Sequence, residues 1–216
     1  MILSRRGLAA VFVLAALVGG LFGLRCPVAM ADDATAALVA KPVAFPDMAI
    51  GSDKAPITIY EYSSLTCPHC AAFAQNVFPM LRSKYIDTGK VRFVSREFPL
   101  DLKAAAAALL ARCIAKDDAS KFFDVTMMMF QQQEELAAHT TETLTAIGGK
   151  FGMKEADVEA CVKNDASLDK LQSDQTFAYD QLKVGATPTF FINGEMSKGA
   201  MSFEEMEAKL DPLLKK

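Results

Sequence analysis

The chain has 216 residues, of which 51% are hydrophobic and 23% are charged, and its formal net charge is -3. This length is sufficient for one large domain, and the high apolar content excludes a disordered chain. The acidic balance gives no support to nucleic-acid binding, so we expect no nucleic-acid partner.

The N-terminal segment, residues 1–31, has the pattern of a secretory signal. Arg5 and Arg6 precede an apolar run over residues 7–24, and Ala29-Met30-Ala31 forms a small-x-small cleavage site. Its removal would take away three arginines and no acidic residue, so the formal net charge would change from -3 to -6. The apolar run is also close to the length of a membrane span, so an uncleaved anchor is the alternative. We predict an exported, periplasmic protein.

A lead-in and a strand follow the signal segment. Residues 32–54 show little periodicity and are predicted to form an irregular lead-in. Residues 57–62 are rich in β-branched and aromatic side chains, which is typical of a strand buried on both faces. Glu61 has the same parity in this strand as Ile57 and Ile59, so its carboxyl group should point toward an apolar face.

The motif Cys67-Pro68-His69-Cys70 comes next and spaces two cysteines as Cys-x-x-Cys at the start of a predicted helix. Pro68 suits the first helical position, which makes Cys67 the N-cap and places Cys70 one turn further on. Unpaired backbone N–H groups and the positive end of the helix dipole then favour the Cys67 thiolate, and a protonated His69 can do the same. A stabilised thiolate makes the disulfide form an oxidant. By access, Cys67 is predicted to be the exposed nucleophile and Cys70 the deeper, resolving cysteine.

A structural cysteine pair or a soft-metal site that includes His69 is the alternative. A closed zinc site needs four ligands, and His69 and His139 are the only histidines of the chain. No second Cys-x-x-Cys motif exists in the sequence. We therefore predict redox chemistry with no metal and no cofactor, and a periplasmic carrier of copper or zinc stays as the alternative from another class.

The later elements predict an α/β domain that is interrupted by helices. A helix kinked or broken by Pro79, a strand and an alanine-rich helix precede an all-helical block with breaks at Gly148-Gly149 and Gly152. A strand with an Asn193-Gly194 hairpin turn follows, and Ser202 and Glu205 form a capping box that begins the last helix. The predicted ranges are 68–85 for the kinked helix, 91–94 for the strand, 103–113 for the alanine-rich helix, 117–184 for the helical block and 189–200 for the hairpin.

Together these features resemble the DsbA-like thiol:disulfide oxidoreductases of the thioredoxin superfamily, whose active-site motif is often Cys-Pro-His-Cys. The resemblance extends from about residue 55 to the C-terminus and includes Thr187-Pro188 with the Phe-Phe-Ile-Asn-Gly that begins at Phe190. It implies a thioredoxin-like domain formed by residues 55–116 and 185–216. Residues 117–184 would then be an inserted α-helical subdomain.

The resemblance also implies roles for individual residues. It implies a cis peptide bond before Pro188, with the Thr187 backbone offering hydrogen bonds to an extended substrate, whereas an ordinary strand-leading proline is the alternative. It implies a buried acid at Glu61 that accepts or relays the proton that Cys70 loses, whereas a structural ion pair is the alternative. The middle dipeptide Pro68-His69 would tune the thiols of the active site.

Two further cysteines, Cys113 and Cys161, raise the question of a second disulfide. Removal of the signal segment leaves four cysteines, and an even number in an exported chain suggests pairing. We predict a structural disulfide between Cys113 and Cys161 that clamps the inserted helices to the rest of the domain. Two buried free thiols are the alternative, and the resemblance does not distinguish between them.

The resemblance implies an exported thiol:disulfide oxidoreductase that introduces disulfides into client proteins. A disulfide isomerase or reductase has the same site residues, so the direction of the reaction stays open. The clients would be reduced or misfolded exported proteins. The family further implies a membrane redox partner of the DsbB type, or of the DsbD type for an isomerase, and we expect a monomer.

Overall fold

The computed structural model describes residues 28–215. The predicted signal segment, residues 1–31, therefore lies outside the described residues except for its last four, which begin the first helix. Among the helices of residues 28–215, none is long and apolar enough to cross a membrane.

The described chain contains one mixed β-sheet and helices that lie before, between and after its strands. The strands are β1 (Met48–Ile50), β2 (Ile57–Ser63), β3 (Val91–Glu97), β4 (Thr189–Ile192) and β5 (Glu195–Lys198). The helices are α1 (Val28–Val39), α2 (Pro68–Ala72), α3 (Phe78–Leu81), α4 (Leu102–Ala115), α5 (Ala119–Gln131), α6 (Gln133–Ala138), α7 (Thr140–Lys150), α8 (Glu155–Val162), α9 (Asp165–Asp180) and α10 (Phe203–Leu213).

The sheet has the strand order β1-β3-β2-β4-β5. β2 and β3 are parallel, and every other neighbouring pair is antiparallel. β2 is the central strand, and in the register of its neighbours Glu61 lies opposite Ser95 of β3 and Phe190 of β4. The predicted α/β fold with helices inserted between its two β-containing parts is therefore what the structure shows, and β2 leads directly into the Cys-x-x-Cys motif.

The segment 32–54 is not irregular, and this prediction was wrong. Helix α1 continues to Val39, in keeping with the high helix propensity of its alanines. Strand β1 pairs antiparallel with β3, with Ala49 opposite Val94. A strand of three residues is too short to show an alternating pattern in the sequence. Its conformation is stabilised by pairing with a strand more than 40 residues away, which the local sequence does not reveal.

Two buried arginines hold this N-terminal segment against the domain. Arg96, with 3% of its surface exposed, donates to both carboxylate oxygens of Asp47 at 2.7 and 3.0 Å and to the Val39 carbonyl at 2.8 Å. Arg112 donates to the Pro46 carbonyl at 2.6 Å. These buried charges have partners, as a buried guanidinium requires, so the segment is an integral part of the domain.

The helix that follows the Cys-x-x-Cys motif is divided, as Pro79 predicted. A π-helical turn over Phe73–Val77 separates α2 from α3, and Pro79 lies in the first turn of α3. Proline has no N–H to donate to the preceding turn, and the wider turn accommodates its ring. A second π-helical turn, Arg82–Ile86, ends the helix close to the predicted boundary.

The inserted helices α5–α9 differ from the prediction in two details. Residues 133–138 form a separate helix, α6, which the sequence analysis did not distinguish. Helix α7 continues through Gly148 and Gly149, where the sequence analysis placed a break. A Cβ atom at Gly148 would lie 2.4 Å from Cγ2 of Val158 in α8, so glycine here permits close packing of two helices rather than ending one.

The inserted helices share one apolar core with the sheet. Phe93 of β3 packs edge-on against Phe123 of α5 with ring centroids 6.1 Å apart, and the same buried cluster includes Leu144 of α7. Cys113 of α4 and Cys161 of α8 are joined by a disulfide with Cα atoms 5.9 Å apart. The insertion is therefore connected to the rest of the domain both by packing and covalently.

Candidate active site

The two cysteines of the motif lie at the junction of β2 and α2. Cys67 is the N-cap of α2 with extended backbone angles, and Pro68 is the first helical residue. The Cys67 carbonyl accepts hydrogen bonds from the backbone N–H groups of Cys70 and Ala71, each at 3.1 Å. Both cysteines are free thiols, so the structure shows the reduced pair.

Cys67 is more buried than the sequence analysis expected, and the prediction of an exposed nucleophile needs correction. Only 5% of Cys67 is exposed, compared with 0% of Cys70, so the order of depth is as predicted. The Cys67 thiol donates a hydrogen bond to the Thr187 carbonyl at 3.2 Å, and the Thr187–Pro188 peptide bond is cis. The loop before β4 therefore covers the sulfur. Pro68 and His69 are the exposed members of the motif.

Glu61 lies on the buried face of β2, as its parity predicted, with 7% of its surface exposed. Burial raises the pKa of its carboxyl group from 4.5 to about 8, and the neighbouring Ser63 hydroxyl lowers this pKa only in part. Among residues 28–215, no lysine or arginine forms an ion pair with Glu61. The structural ion pair that was the alternative role for this acid is therefore not present in the described chain.

The Cys70 sulfur is surrounded by groups from the end of β2. Burial raises the pKa of the Cys70 thiol above its ordinary value, and the carboxylate of Glu61 raises it further. The Ser63 hydroxyl and the Ser64 backbone N–H both act in the opposite direction, because each can donate a hydrogen bond to a thiolate. Glu61 and Cys70 thus interact electrostatically, and the acid that lies six residues before Cys67 belongs to the site.

A small cavity adjoins these groups. It has a volume of about 40 Å³, enough for about two water molecules, and Glu61 and Ser63 line it together with apolar side chains such as Phe73 and Phe130. Thr126 and Met127, which are half-buried, also line it. The carboxyl group of Glu61 therefore faces a mainly apolar space of limited volume.

Two side chains, Gln133 and Thr66, make hydrogen bonds at the site that no sequence pattern predicted. The side-chain amide of Gln133, at the start of α6, donates to the Leu65 carbonyl at 2.9 Å and to the Cys67 carbonyl at 3.1 Å. The Thr66 hydroxyl donates to Asp101, the N-cap of α4, at 2.7 Å. The inserted helices thus contact the backbone of the motif itself. Within the described residues, no group of three His, Cys, Asp or Glu side chains is placed to hold a metal ion.

The family model that matches this chain is described as thioredoxin and covers residues 44–212. A Rickettsia felis protein named as a protein-disulfide oxidoreductase is 36% identical over 170 residues, which is 78% of this chain and 60% of that protein. A Bacillus cereus protein named as a disulfide bond formation protein D is 31% identical over 175 residues, covering 77% of this chain and 78% of that protein. The chain thus spans about 60% of the length of the Rickettsia relatives it matches.

Among solved structures, the chain is similar to the crystal structure of alpha-DsbA1 from Wolbachia pipientis. The TM-score is 0.73 at 30% sequence identity, and the match covers 81% of this chain and 94% of that chain. The similarity thus includes nearly the whole of that protein.

Proposed function

Because this chain belongs to the DsbA-like oxidoreductases of the thioredoxin family, as its sequence predicted, we propose that it is an exported thiol:disulfide oxidoreductase that introduces disulfides into client proteins. The observation that carries this proposal is the position of the pair Cys67 and Cys70 at the start of α2, with the Cys67 sulfur against the Thr187 carbonyl. The clients are reduced proteins outside the cytoplasm, and a DsbB-type membrane partner restores the disulfide.

The first step opens the Cys67–Cys70 disulfide. A client thiolate attacks the Cys67 sulfur, a client–Cys67 bond forms, and the bond to Cys70 breaks, so that Cys70 leaves with the electron pair. Since the raised pKa of Cys70 favours its thiol, this sulfur takes up a proton. Glu61 can supply the proton, because with a pKa of about 8 its carboxyl group is mostly protonated at pH 7.

The second step releases the oxidised client. Its second thiolate attacks the client sulfur of the mixed disulfide, the client disulfide forms, and Cys67 leaves with the electron pair at the N-terminus of α2. The Thr187 carbonyl accepts a hydrogen bond from the same sulfur, and we expect the Thr187 backbone to pair with an extended client segment. On reoxidation the proton returns from Cys70 to Glu61.

The redox potential of the Cys67–Cys70 pair tests the direction of the reaction. It is measured by equilibration with glutathione, and the redox state of the pair in the cell is measured by alkylation. For an oxidase we expect a potential above about -200 mV and an oxidised pair in the cell, with Cys67→Ser as the inactive control. A potential near or below about -270 mV, or a pair that is kept reduced, would instead support the reductase or isomerase.

The same preparation tests the function of another class, a soft-metal carrier. Copper and zinc are titrated into the oxidised and the reduced protein. If the reduced form binds the metal tightly and stoichiometrically and shows no thiol exchange, the result would support a metal carrier and contradict the oxidoreductase. Cell fractionation tests the proposed periplasmic location, since a cleaved signal and an uncleaved anchor place the protein in different fractions.

A further inference from the structure

We propose that the hydroxyl group of Ser63 relays the proton between Glu61 and the Cys70 sulfur. This inference rests on the proposed function, because it concerns the protonation of the resolving cysteine during thiol exchange. It assigns a function to a residue outside the Cys-x-x-Cys motif that no part of the sequence analysis identified.

The first observation is that the Ser63 hydroxyl is buried and has no hydrogen-bond partner of standard geometry among the described residues. Buried polar groups in proteins are nearly always satisfied, so an exception at this place requires an explanation. A hydroxyl group is both a donor and an acceptor and can rotate between two partners. It can therefore accept a proton from one group while it donates its own to another.

The second observation is its position between the two groups that exchange a proton. Ser63 and Glu61 are two residues apart on β2, so their side chains lie on the same face of the strand, and both line the same small cavity. The Ser63 hydroxyl also lies beside the Cys70 sulfur, and its contact stabilises the charged form of both neighbours.

The third observation is that neither end of this path has direct access to solvent. Glu61 is 7% exposed and Cys70 is fully buried. When Cys70 leaves the disulfide as a thiolate, it cannot take a proton directly from bulk water. A group within the protein has to deliver the proton, and Ser63 is the hydroxyl in contact with both donor and acceptor.

The transfer is balanced and needs no further reactant. As the bond between Cys67 and Cys70 breaks, the Ser63 hydroxyl gives its proton to the Cys70 thiolate and takes the proton of the Glu61 carboxyl group. The products are a Cys70 thiol, a neutral Ser63 and a Glu61 carboxylate. In the reverse reaction the two protons move in the opposite direction, and Cys70 becomes the thiolate that attacks the disulfide.

The other charged and titratable groups around this path have different partners. Arg96 and Glu97 of β3 line the cavity, but they are paired with Asp47 and Arg112. The Cys67 thiol is directed to the loop before β4. From α5 the cavity receives Thr126, Met127 and phenylalanine side chains, none of which titrates. Glu61 is thus the acid available to Ser63.

The test compares Ser63→Ala with the wild-type protein in a single-turnover reaction of the oxidised protein with a reduced dithiol peptide, quenched by acid and read by alkylation and mass spectrometry. We expect the rate at pH 7 to fall at least tenfold, and the inflection of the rate that Glu61 causes near its pKa to disappear. The equilibrium constant with glutathione should change less than twofold, since the relay affects a rate and both end states keep their protons.

Ser63→Thr and Ser63→Val form a matched pair of equal shape, with and without the hydroxyl. We expect Ser63→Thr to restore the rate and the pH profile and Ser63→Val to reproduce Ser63→Ala. This pair also decides the question if Ser63→Ala fails to fold. Ser95→Ala is the control, since Ser95 lines the same cavity on the neighbouring strand, and its rate should equal that of the wild type.

A rate within twofold of wild type for Ser63→Ala and Ser63→Val, with the pH profile retained, would overturn the relay. That result leaves the proposed function intact, because wild-type exchange and its potential are measured separately. Conversely, a strongly reducing potential would defeat the oxidase, while the comparison of the Ser63 variants would still test the relay in the reducing direction.

Discussion

The carboxyl group of Glu61 is buried, and no lysine or arginine of residues 28–215 pairs with it, which makes the stability of the protein depend on pH. Its folded-state pKa of about 8 lies above its ordinary value of 4.5, so the folded protein binds a proton that the unfolded chain releases. The stability associated with the protonated carboxyl is complete below the unfolded pKa. It is lost as the pH rises through the folded pKa. Folding must then either bury the charged Glu61 carboxylate or keep this group protonated, and both cost free energy.

Replacement of Glu61 by glutamine removes this dependence while it keeps the shape of the side chain. We expect Glu61→Gln to be more stable than wild type by about 3 kcal/mol at pH 7, to differ little near pH 4, and to differ most above pH 8. The measurement is urea unfolding of both proteins at a series of pH values. Glu204→Gln, at an exposed position of α10, is the control and should follow the wild-type curve. Parallel curves for Glu61→Gln and wild type would contradict the buried, uncharged carboxyl group.

At the scale of secondary-structure elements, the inserted helices are attached to the rest of the domain at two points, one of which is the backbone of the redox motif. Gln133 begins α6 and donates to two carbonyls next to the motif, and Cys113 links α4 to Cys161 of α8. A run of three glutamines gave no reason to single out Gln133 in the sequence, because its partners are 66 and 68 residues away. The Cys113–Cys161 pair could be predicted because residues 32–216 contain four cysteines and the motif takes two of them.

Removal of the Cys113–Cys161 disulfide tests the contribution of the second attachment. The bond spans 48 residues, and in the chain-entropy model its loss costs about 4 kcal/mol, since the unfolded chain gains freedom. We expect Cys113→Ala/Cys161→Ala to unfold at a lower urea concentration than wild type and its free energy of unfolding to be lower by this amount. Both proteins are compared with the Cys67–Cys70 pair oxidised. Circular dichroism before unfolding serves as the control for an unchanged fold. A loss below about 1 kcal/mol would show that packing alone holds α8 in place.

The whole molecule is built around a single apolar core to which both the sheet and the inserted helices contribute. Phe93 of β3, Phe123 of α5 and Leu144 of α7 belong to one cluster of buried side chains. A helical block that buries its apolar face against the sheet cannot be removed without exposing both surfaces to water. The predicted subdomain of residues 117–184 is therefore an insertion in the sequence and part of one packed unit in space.

This continuity predicts one cooperative unfolding transition. Two signals are measured on Tyr179→Phe, which removes the one tyrosine of the inserted helices. Far-ultraviolet circular dichroism then reports mainly on the helices, whereas tyrosine fluorescence reports on β2, which contains Tyr60 and Tyr62, and on the turn Arg82–Ile86, which contains Tyr85; the chain has no tryptophan. We expect the two signals to change at the same urea concentration and with the same slope. A circular dichroism transition that precedes the fluorescence transition would mean that the inserted helices unfold separately.

Much of this protein was determined by local sequence. The Cys-x-x-Cys pair at the end of a strand, Pro68 at the first helical position, the Asn193-Gly194 turn and the Ser202 capping box all follow from the conformational preferences of a few adjacent residues. The alternation along β2 placed Glu61 on the buried face for the same reason. Such features are predictable because the residues that decide them are neighbours in the chain.

The chemical environment of the site was decided only by tertiary structure. The Thr187 carbonyl that covers Cys67 is 120 residues away, and Gln133 is 66 residues away. Sequence parity could place Glu61 inside, but two features depend on which side chains the fold brings there: no lysine or arginine of residues 28–215 pairs with this acid, and the Ser63 hydroxyl lies beside both Glu61 and Cys70. The energy of a buried polar group is set by its partners, and segments distant in the chain supply those partners only when the whole domain has folded.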